Sequence, residues 1–435
     1  MNHTDTSSTI DIAVIGGGAA GMAAAWFSRR GTVPESTFPV RTALFERNDR
    51  LGKKLLSTGN GRCNLTNLDS RTNRFHGSDP EFVQEAFTRF PPSEVIARFE
   101  ELGVTCTVEE NSKVFPASLH ASSVLDALRL ALDENNIALF TGIKIVAVGK
   151  QGNLFSLAAS DGETYRSRAI IVATGGMSAP ATGSDGNGYK LLTPFSHRRV
   201  ATAPSIVQLT TDTSFVKPLA GHKIQGTATL TLGTENIRTE QGEILFTDYG
   251  LSGPPVLQLS GYVARALRDV QPSRPVAPMV ITIDFLPGYT FDETFALLRK
   301  RKNTFSGRTL EEYLTGFFQR RLAYGLLKHA LRKPLSTPVA RLTDQEITLL
   351  ARTCKELPIT VTGTRSFTHA QATSGGIATT DFNPATMESL KCPGLFVCGE
   401  LLDIDGDCGG FNLQWAWASG FMAGSGAVDY LQRHR

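Results

Sequence analysis

The sequence of 435 residues has little of what marks a membrane or secreted protein. No apolar run approaches the roughly 18 residues that a membrane-spanning helix needs. The first ten residues are polar and lack the basic and apolar regions of a signal peptide. The six cysteines include no CxxC pair, which argues against a zinc ribbon or a thioredoxin-type dithiol. We therefore expect a cytoplasmic protein with free thiols, without a metal and without a membrane partner.

The chain also lacks a large excess of charge of either sign, but its charges are unevenly distributed. The formal net charge is +3, and hydrophobic and charged residues make up 41% and 20% of the chain, a balance typical of globular proteins. Residues 299–333 nevertheless hold ten lysines and arginines against two acidic residues, Glu311 and Glu312. A local field of this kind matters more for the choice of partner than the total charge does.

The order of predicted elements indicates that one domain is inserted within another. Strand, glycine turn and helix patterns lie at both ends of the chain, whereas residues 205–288 alternate as in a small antiparallel barrel. Residues 289–355 are predicted to be helical, and three capping boxes begin there at Thr290, Thr309 and Thr343. We predict an α/β protein whose Rossmann-like domain is interrupted by a β-barrel-like domain that itself carries a helical insert. The expected boundaries are 1–203 and 365–435 for the Rossmann-like domain, 204–288 and 356–364 for the barrel, and 289–355 for the insert.

A glycine motif near the N-terminus points to a dinucleotide. Gly16, Gly18 and Gly21 form a GxGxxG pattern between a predicted strand over 10–15 and a predicted helix. These glycines would permit a tight turn, the approach of a pyrophosphate and close packing of the helix, whose N-terminus attracts phosphate. Glu46 ends the next predicted strand and could accept hydrogen bonds from both ribose hydroxyls of an adenosine. A tight turn without a ligand is the alternative.

Two later motifs favour FAD over NAD alone. Ala173-Thr174-Gly175 follows an apolar strand, as it does in two-dinucleotide-binding flavoproteins. An ordinary exit from a strand into a loop, without a ligand, is the alternative. Gly399-Glu400 ends another strand, and a pair of glycines then opens a helix. The acid could hold a ribityl hydroxyl, and the backbone amides of residues 411–414 could meet the pyrimidine edge of a flavin. No second GxGxxG indicates a separate nicotinamide domain.

The loop of residues 52–67 carries the most specific signal, the run GKKLLSTGNGRCNLTN. Together with VFPAS at 114–118, the glycines between 175 and 188, FTDYGLSGP at 246–254 and the C-terminal motif, it resembles the HI0933-like flavoproteins. This family is also called BaiN/RdsA or aminoacetone-oxidase-like, and the resemblance covers nearly the whole chain. It implies an FAD-binding domain interrupted by a β-barrel-like domain with a helical insert, and a flavin-dependent reductase.

The resemblance also implies a reaction. Family members are associated with reduction of activated C=C bonds, one branch in dehydro bile acids and another in uridine of 23S ribosomal RNA, which becomes dihydrouridine. Either reduction would combine a hydride from reduced FAD with a proton from an acid. Cys63 is the candidate proton donor, Arg62 could polarise a carbonyl or balance a reduced flavin, and Asp185 is a further catalytic candidate. A buried structural thiol and a helix cap are the alternatives for Cys63 and Asp185.

The predicted cofactor contacts follow the three motifs and the loop. The residues expected to bind FAD are Gly16, Gly18, Ala19, Ala20, Gly21, Glu46, Arg47, Lys54, Thr58, Gly59, Asn64, Val146, Ala173, Thr174, Gly175, Gly399, Glu400, Asp403, Gly410, Asn412 and Leu413. NADH and NADPH are the candidate electron donors, because the sequence shows no dedicated nicotinamide site.

The charge of the basic segment favours one of the candidate substrates over the other. An RNA backbone would need such a charge and a small enone would not, so 23S rRNA or a ribosome precursor is the expected partner. A solvated basic face is the alternative reading, and with it a small-molecule reductase or oxidase, acting on a dehydro bile-acid-like enone or on aminoacetone. A non-enzymatic RNA-binding flavoprotein is a third hypothesis. The residues expected to contact RNA are Arg299, Lys300, Arg301, Lys302, Arg320 and Arg321.

Overall fold

The computed structural model describes residues 9–30, 40–69, 71–109, 112–269 and 277–434. Residues 1–8, on which the signal-peptide expectation largely rests, lie outside these ranges. The chain divides into two compact units, one of residues 1–204 and 367–435 and the other of residues 205–366. Within the described ranges, no helix is both long enough and apolar enough to span a membrane.

Short strands build the sheets of both units. The strands are β1 Ile10–Ile15, β2 Thr42–Glu46, β3 Thr66–Asn67, β4 Phe75–His76, β5 Cys106–Val108, β6 Lys113–Pro116, β7 Ala138–Thr141, β8 Ile145–Gln151, β9 Leu154–Ala159, β10 Thr164–Val172, β11 Ala203–Ser205, β12 Leu209–Thr211, β13 Lys223–Leu232, β14 Glu235–Phe246, β15 Gly250–Ser252, β16 Met279–Asp284, β17 Leu357–Thr364, β18 Ala372–Ser374, β19 Leu395–Val397 and β20 Asp405–Gly406.

The helices lie between these strands and after the last of them. They are α1 Ala19–Arg30, α2 Val83–Arg89, α3 Pro92–Glu101, α4 Ala121–Glu134, α5 Asn187–Leu192, α6 Thr213–Val216, α7 Pro254–Arg268, α8 Phe291–Thr304, α9 Leu310–Tyr313, α10 Arg320–Leu331, α11 Asp344–Lys355 and α12 Phe411–Arg433.

A largely parallel sheet organises the first unit. Its order is β7-β2-β1-β10-β9-β8, and β19 also pairs with β10. Strand β1 runs parallel to β2 and β10, so the carboxyl ends of these apolar strands meet at one edge. Helix α12 packs on α1, and this close approach requires glycine, because a Cβ at Gly420 would lie 2.5 Å from the Ala20 carbonyl oxygen. The fold thus brings the N-terminal and C-terminal motifs to one place.

A closed antiparallel barrel organises the second unit. Its strands follow the order β12-β15-β14-β13-β16-β17, and inward-facing side chains such as Ile281 and Ile283 are fully buried. Helices α8 to α11 lie between β16 and β17, and the predicted capping boxes at Thr290, Thr309 and Thr343 are all present. The predicted fold class, a Rossmann-type domain with an inserted barrel and helices, is confirmed. One hydrophobic core contains side chains from both barrel and helices, and the boundary between these two parts stays a prediction.

Candidate functional site

A cleft lies in the first unit where the parallel strands end. It encloses about 1160 Å³, including the part open to solvent. Its walls include Gly16 after β1, Glu46 at the end of β2, Ala173 after β10 and Gly399 after β19. In open α/β sheets ligands bind at the carboxyl ends of the strands, so this is the expected position for a dinucleotide.

The GxGxxG turn forms the middle of the cleft, and each glycine has a distinct role there. Gly16 has a φ of +110°, and a Cβ on it would lie 2.5 Å from the Ala173 carbonyl oxygen. A Cβ on Gly21 would overlap the Gly16 carbonyl oxygen, so the helix can pack on the turn only with glycine there. Gly18 has nothing within 4 Å of a Cβ position, which leaves space for a phosphate at the start of α1.

Glu46 is buried and held by the backbone at one end of the cleft. Its Oε2 accepts a hydrogen bond from the Gly17 amide at 2.8 Å, and its Oε1 accepts from the backbone and side chain of Asn48. These bonds fix the carboxylate at the end of β2, the position expected for an acid that binds ribose. Lys53 and Lys144 also line this end of the cleft.

Asp185 also lies near the Glu46 end, but outside the cleft lining. Its carboxylate forms an ion pair with Arg47, and Lys144 Nζ lies 3.9 Å away. Partial burial opposes ionisation, yet the bonds from Arg47 and the Asn187 amide hold the pKa of Asp185 below its usual value. A carboxyl group in this state has no proton to give at neutral pH, and its contacts position Arg47 and the start of α5.

Glu400 is the centre of a hydrogen-bonded network at the other end of the cleft. Lys54 Nζ lies 2.6 Å from Glu400 Oε2, and the hydroxyls of Ser178 and Thr373 donate to Oε1 at 2.5 and 2.7 Å. Both hydroxyl residues are fully buried. Since Gln371 and Lys54 line the cleft beside Glu400, the network forms part of its wall.

The N-terminus of α12 closes the same end of the cleft. Asn412 lines the cleft, and its side chain exchanges hydrogen bonds with both backbone groups of Gly406, which fixes the loop before the helix. That loop is also held by the buried Asp407, whose carboxylate lies 2.7 Å from His76 Nε2. A helix N-terminus stabilises negative charge, as needed next to the pyrimidine edge of a reduced flavin.

The polar atoms of the cleft fit FAD. Thr174 and Ser184 line the cleft, and their buried hydroxyl oxygens have no hydrogen-bond partner among the described residues. Such groups cost free energy unless a ligand satisfies them. Together with the open space at Gly18 and the two helix N-termini, they form a surface for the phosphates and hydroxyls of a dinucleotide.

The predicted loop residues Arg62 and Cys63 do not line the cleft, although Thr58 does. Arg62 Nη1 donates to both carboxylate oxygens of Glu109, at 3.0 and 3.1 Å, and the guanidinium lies over the Phe115 ring. Cys63 is fully buried, and burial raises the pKa of its thiol to about 12 against a hydrogen bond with Thr58 that lowers it. The thiol therefore keeps its proton at neutral pH, and the Cys63 amide donates to the carbonyl oxygen of Thr58, which lines the cleft.

Most of the residues predicted to bind the cofactor line this one cleft. They are Gly16, Gly18, Ala19, Ala20, Glu46, Arg47, Lys54, Thr58, Ala173, Thr174, Gly175, Gly399, Glu400, Asn412 and Leu413. The others do not line it, and they are Gly21, Gly59, Asn64, Val146, Asp403 and Gly410. Several of these support the lining instead: Gly410 is the N-cap of α12, and Asp403 accepts a bond from the Ser78 amide.

Sequence reasoning missed several lining residues. Lys144 had a usable signal, because it directly precedes β8, where Val146 was predicted as a contact. Asn48 and Asn187 lie close to the predicted site residues Arg47 and Asp185, but no sequence motif marked either of them. Gln371 lies in a segment for which the sequence suggested no role, and only the fold brings it to the cleft.

The basic candidates lie in the second unit, and half of them are engaged within the protein. Arg299 pairs with Asp344 at 3.4 Å, Arg320 pairs with Glu311 at 2.8 Å, and Arg301 donates to the carbonyl oxygens of Tyr313 and Thr315. Of the six, the remaining Lys300, Lys302 and Arg321 make no ion pair with any described residue. Across the described ranges, no group of three or more His, Cys, Asp or Glu residues is arranged to hold a metal.

Comparisons with known proteins find relatives along nearly the whole chain. The model of the HI0933-like protein Rossmann domain matches residues 10–426. The chain is 34% identical to a 3-dehydro-bile acid delta(4,6)-reductase of Clostridium scindens, over 96% of this chain and 99% of that protein. It is 29% identical to a ribosomal RNA dihydrouridine synthase of Escherichia coli, over 94% and 96% of the two chains. A solved E. coli quinol fumarate reductase FrdA chain shares the fold, with a TM-score of 0.51, 16% identity, and coverage of 98% of this chain and 71% of that one.

Proposed function

The chain belongs to the HI0933-like family of FAD-dependent oxidoreductases, and from that premise we propose that it reduces a C=C bond conjugated to a carbonyl. The observation that carries this proposal is the single cleft, which combines the GxGxxG turn, the Glu400 network and the N-terminus of α12. The names of the two relatives support it, because a delta(4,6)-reductase and a dihydrouridine synthase both saturate C=C bonds.

The proposed reaction needs one hydride and one proton. Bound in the cleft, FAD would supply the hydride after its reduction by a nicotinamide or a chemical reductant. The β-carbon of the substrate accepts the hydride, the π bond breaks, and the α-carbon takes a proton from the protein. The residues of this chain must hold the substrate ring, exclude water and deliver that proton.

We assign the proton delivery to Thr58 and Cys63. Thr58 lines the cleft, its hydroxyl donates to the Leu55 carbonyl oxygen, and its side chain lowers the pKa of the neighbouring buried Cys63 thiol. The hydroxyl would protonate the α-carbon and take a proton from the thiol, and after product release the thiolate would regain a proton from solvent in the cleft through the same hydroxyl. A thiol with a pKa near 12 is still more acidic than the carbon it must protonate, so the direction of transfer is favourable.

Uridine in 23S rRNA is the leading substrate of the proposal. Two relatives named ribosomal RNA dihydrouridine synthase support it, and so do the side chains of Lys300, Lys302 and Arg321, which have no intramolecular ion pair among the described residues. A small conjugated enone is the second candidate. It is favoured by the higher identity to the bile-acid reductase and by the internal bonds of Arg299, Arg301 and Arg320.

The test compares the two substrates directly. The gene is deleted, 23S rRNA is isolated, and dihydrouridine is measured by mass spectrometry with and without the restored gene. The purified FAD-loaded protein is then reduced anaerobically with dithionite and mixed with that rRNA or with a 3-oxo-4,6-diene steroid. We expect dihydrouridine to disappear on deletion and to reappear in vitro.

Each other result has a defined meaning. Reduction of the steroid alone would favour the second candidate. Reoxidation of the flavin by neither substrate would overturn the proposed C=C reduction. RNA binding without reoxidation would then favour a non-enzymatic RNA-binding flavoprotein.

A further inference from the structure

Four carboxamide side chains line the cleft, and one of them differs from the rest. Asn48 donates to Glu46 Oε1 and the Thr182 carbonyl oxygen, Asn187 donates to the Ile145 carbonyl oxygen, and Asn412 donates to the Gly406 carbonyl oxygen. These three groups stabilise the protein itself. The Gln371 carboxamide makes no hydrogen bond with any residue in the described ranges, and its side chain is exposed to the cleft.

The backbone of Gln371 lies against the Glu400 network. Its carbonyl oxygen is 3.4 Å from Ser178 Oγ, whose single hydroxyl proton is donated to Glu400 Oε1 at 2.5 Å. Two residues further on, the fully buried Thr373 donates to the same carboxylate. The start of β18 is therefore tied to the Glu400 network, and the unused amide of Gln371 is held on the cleft wall at the end opposite Glu46.

The charge of this part of the cleft is nearly balanced. Lys54 is paired with Glu400, so the cation next to Gln371 already has its counter-ion. An uncharged amide beside a neutralised ion pair suits an uncharged polar group better than a carboxylate or phosphate. A carbonyl oxygen is such a group, and it can accept one N–H of the amide.

We propose that Gln371 determines substrate binding by donating a hydrogen bond to the carbonyl oxygen conjugated with the C=C bond. This inference rests on the proposed function. When the β-carbon takes up the hydride, negative charge develops on that oxygen, and a donor placed there in advance stabilises it. The amide oxygen can at the same time accept the N–H of a cyclic imide such as uracil, so an imide makes two bonds with Gln371 and an enone makes one.

The test separates substrate binding from cofactor binding. Gln371→Leu removes both amide groups, and Gln84→Leu is the matched control, because Gln84 is exposed on α2 outside the cleft. FAD affinity is measured by fluorescence titration. The oxidative half-reaction is measured by stopped flow, with the dithionite-reduced holoenzyme mixed anaerobically with 23S rRNA from the deletion strain or with the steroid diene.

We expect Q371L to slow reoxidation about 100- to 1,000-fold, as the loss of one oxyanion donor does, while FAD affinity stays unchanged. Gln371→Glu should be similarly slow at neutral pH and regain rate as pH falls towards about 4.3, because a protonated carboxyl can donate again. A merely structural role for Gln371 would not produce this recovery.

Three results would overturn the inference in distinguishable ways. If the wild type and Q371L are reoxidised at the same rate, the inference about Gln371 is overturned and the proposed function stands. A fall in FAD affinity as large as the fall in rate would assign Gln371 to the cofactor instead. A wild type that reduces neither substrate would overturn the proposed function, and the inference with it.

Discussion

Lys54 and Glu400 lie 346 residues apart in the chain and meet across the cleft, with 2.6 Å between Nζ and Oε2. Both side chains are largely buried, at 25% and 18% exposure. An ion pair in such a place adds little net stability, but the loss of one partner leaves an uncompensated charge. The pair therefore couples the loop after β2 to the C-terminal motif.

We expect Lys54→Met to lower the free energy of unfolding by about 1–3 kcal/mol, because the Glu400 carboxylate then lacks its charged donor. The double variant K54M/E400Q should recover part of that loss, since no unpaired charge remains. Urea unfolding measures both, with Lys190→Met as the control for an exposed lysine. Strictly additive effects of the two substitutions would contradict the coupling.

Local features of this protein were predictable from sequence, whereas contacts between distant segments were not. The capping box at Thr290 needs only residues three apart, and the turn at Gly16 needs one strand and one helix. The partners of Glu400 come from three separate segments, so no spacing indicates them. For the same reason the sequence did not indicate that Asp185 would pair with Arg47.

Thr373 offers a test of the same network through a nearly isosteric change. Thr373 Oγ1 donates to Glu400 and accepts hydrogen bonds from the amides of Met177 and Ser178. Thr373→Val leaves these buried groups unsatisfied, and we expect a loss of about 1–3 kcal/mol in the free energy of unfolding. Thr380→Val, at an exposed position of the same unit, should change it by less than about 0.5 kcal/mol. Equal stability of the two variants would show that the hydroxyl is dispensable.

Burial of Cys63 predicts a pH dependence of stability. Burial raises the pKa of the thiol from 9.0 to about 12, so the folded state keeps a proton that the unfolded state releases above 9.0. Stability is therefore fully present below that pH and is lost as pH rises towards 12. Between about pH 8 and about pH 10 the wild type should lose about 1 kcal/mol more than Cys63→Ala. Parallel loss in both proteins by urea unfolding would contradict the assignment, since they share all other titrating groups.

We expect the basic residues of the run in α8 to be of two kinds, those that stabilise the fold and those that bind RNA. Arg301 donates to two carbonyl oxygens and covers the rings of Phe305 and Phe317, so Arg301→Ala should cost about 1–3 kcal/mol of stability. Lys300→Ala with Lys302→Ala should leave stability within about 0.5 kcal/mol. The double lysine variant should instead weaken binding of 23S rRNA and flatten its salt dependence. Unchanged RNA affinity in filter binding would make this run an ordinary solvated face.

Two glycines of the first motif, Gly18 and Gly21, predict opposite outcomes for the same small substitution. Gly18→Ala places a methyl group where nothing lies within 4 Å, so the protein should fold with unchanged stability. The methyl group would occupy the space next to the N-terminus of α1, and FAD affinity should fall about tenfold or more. Gly21→Ala would drive its Cβ into the Gly16 carbonyl oxygen, so stability itself should be lost. Thermal unfolding of the FAD-free protein measures stability, and fluorescence titration measures FAD affinity. Unchanged FAD affinity in G18A would contradict a cofactor-binding role for Gly18.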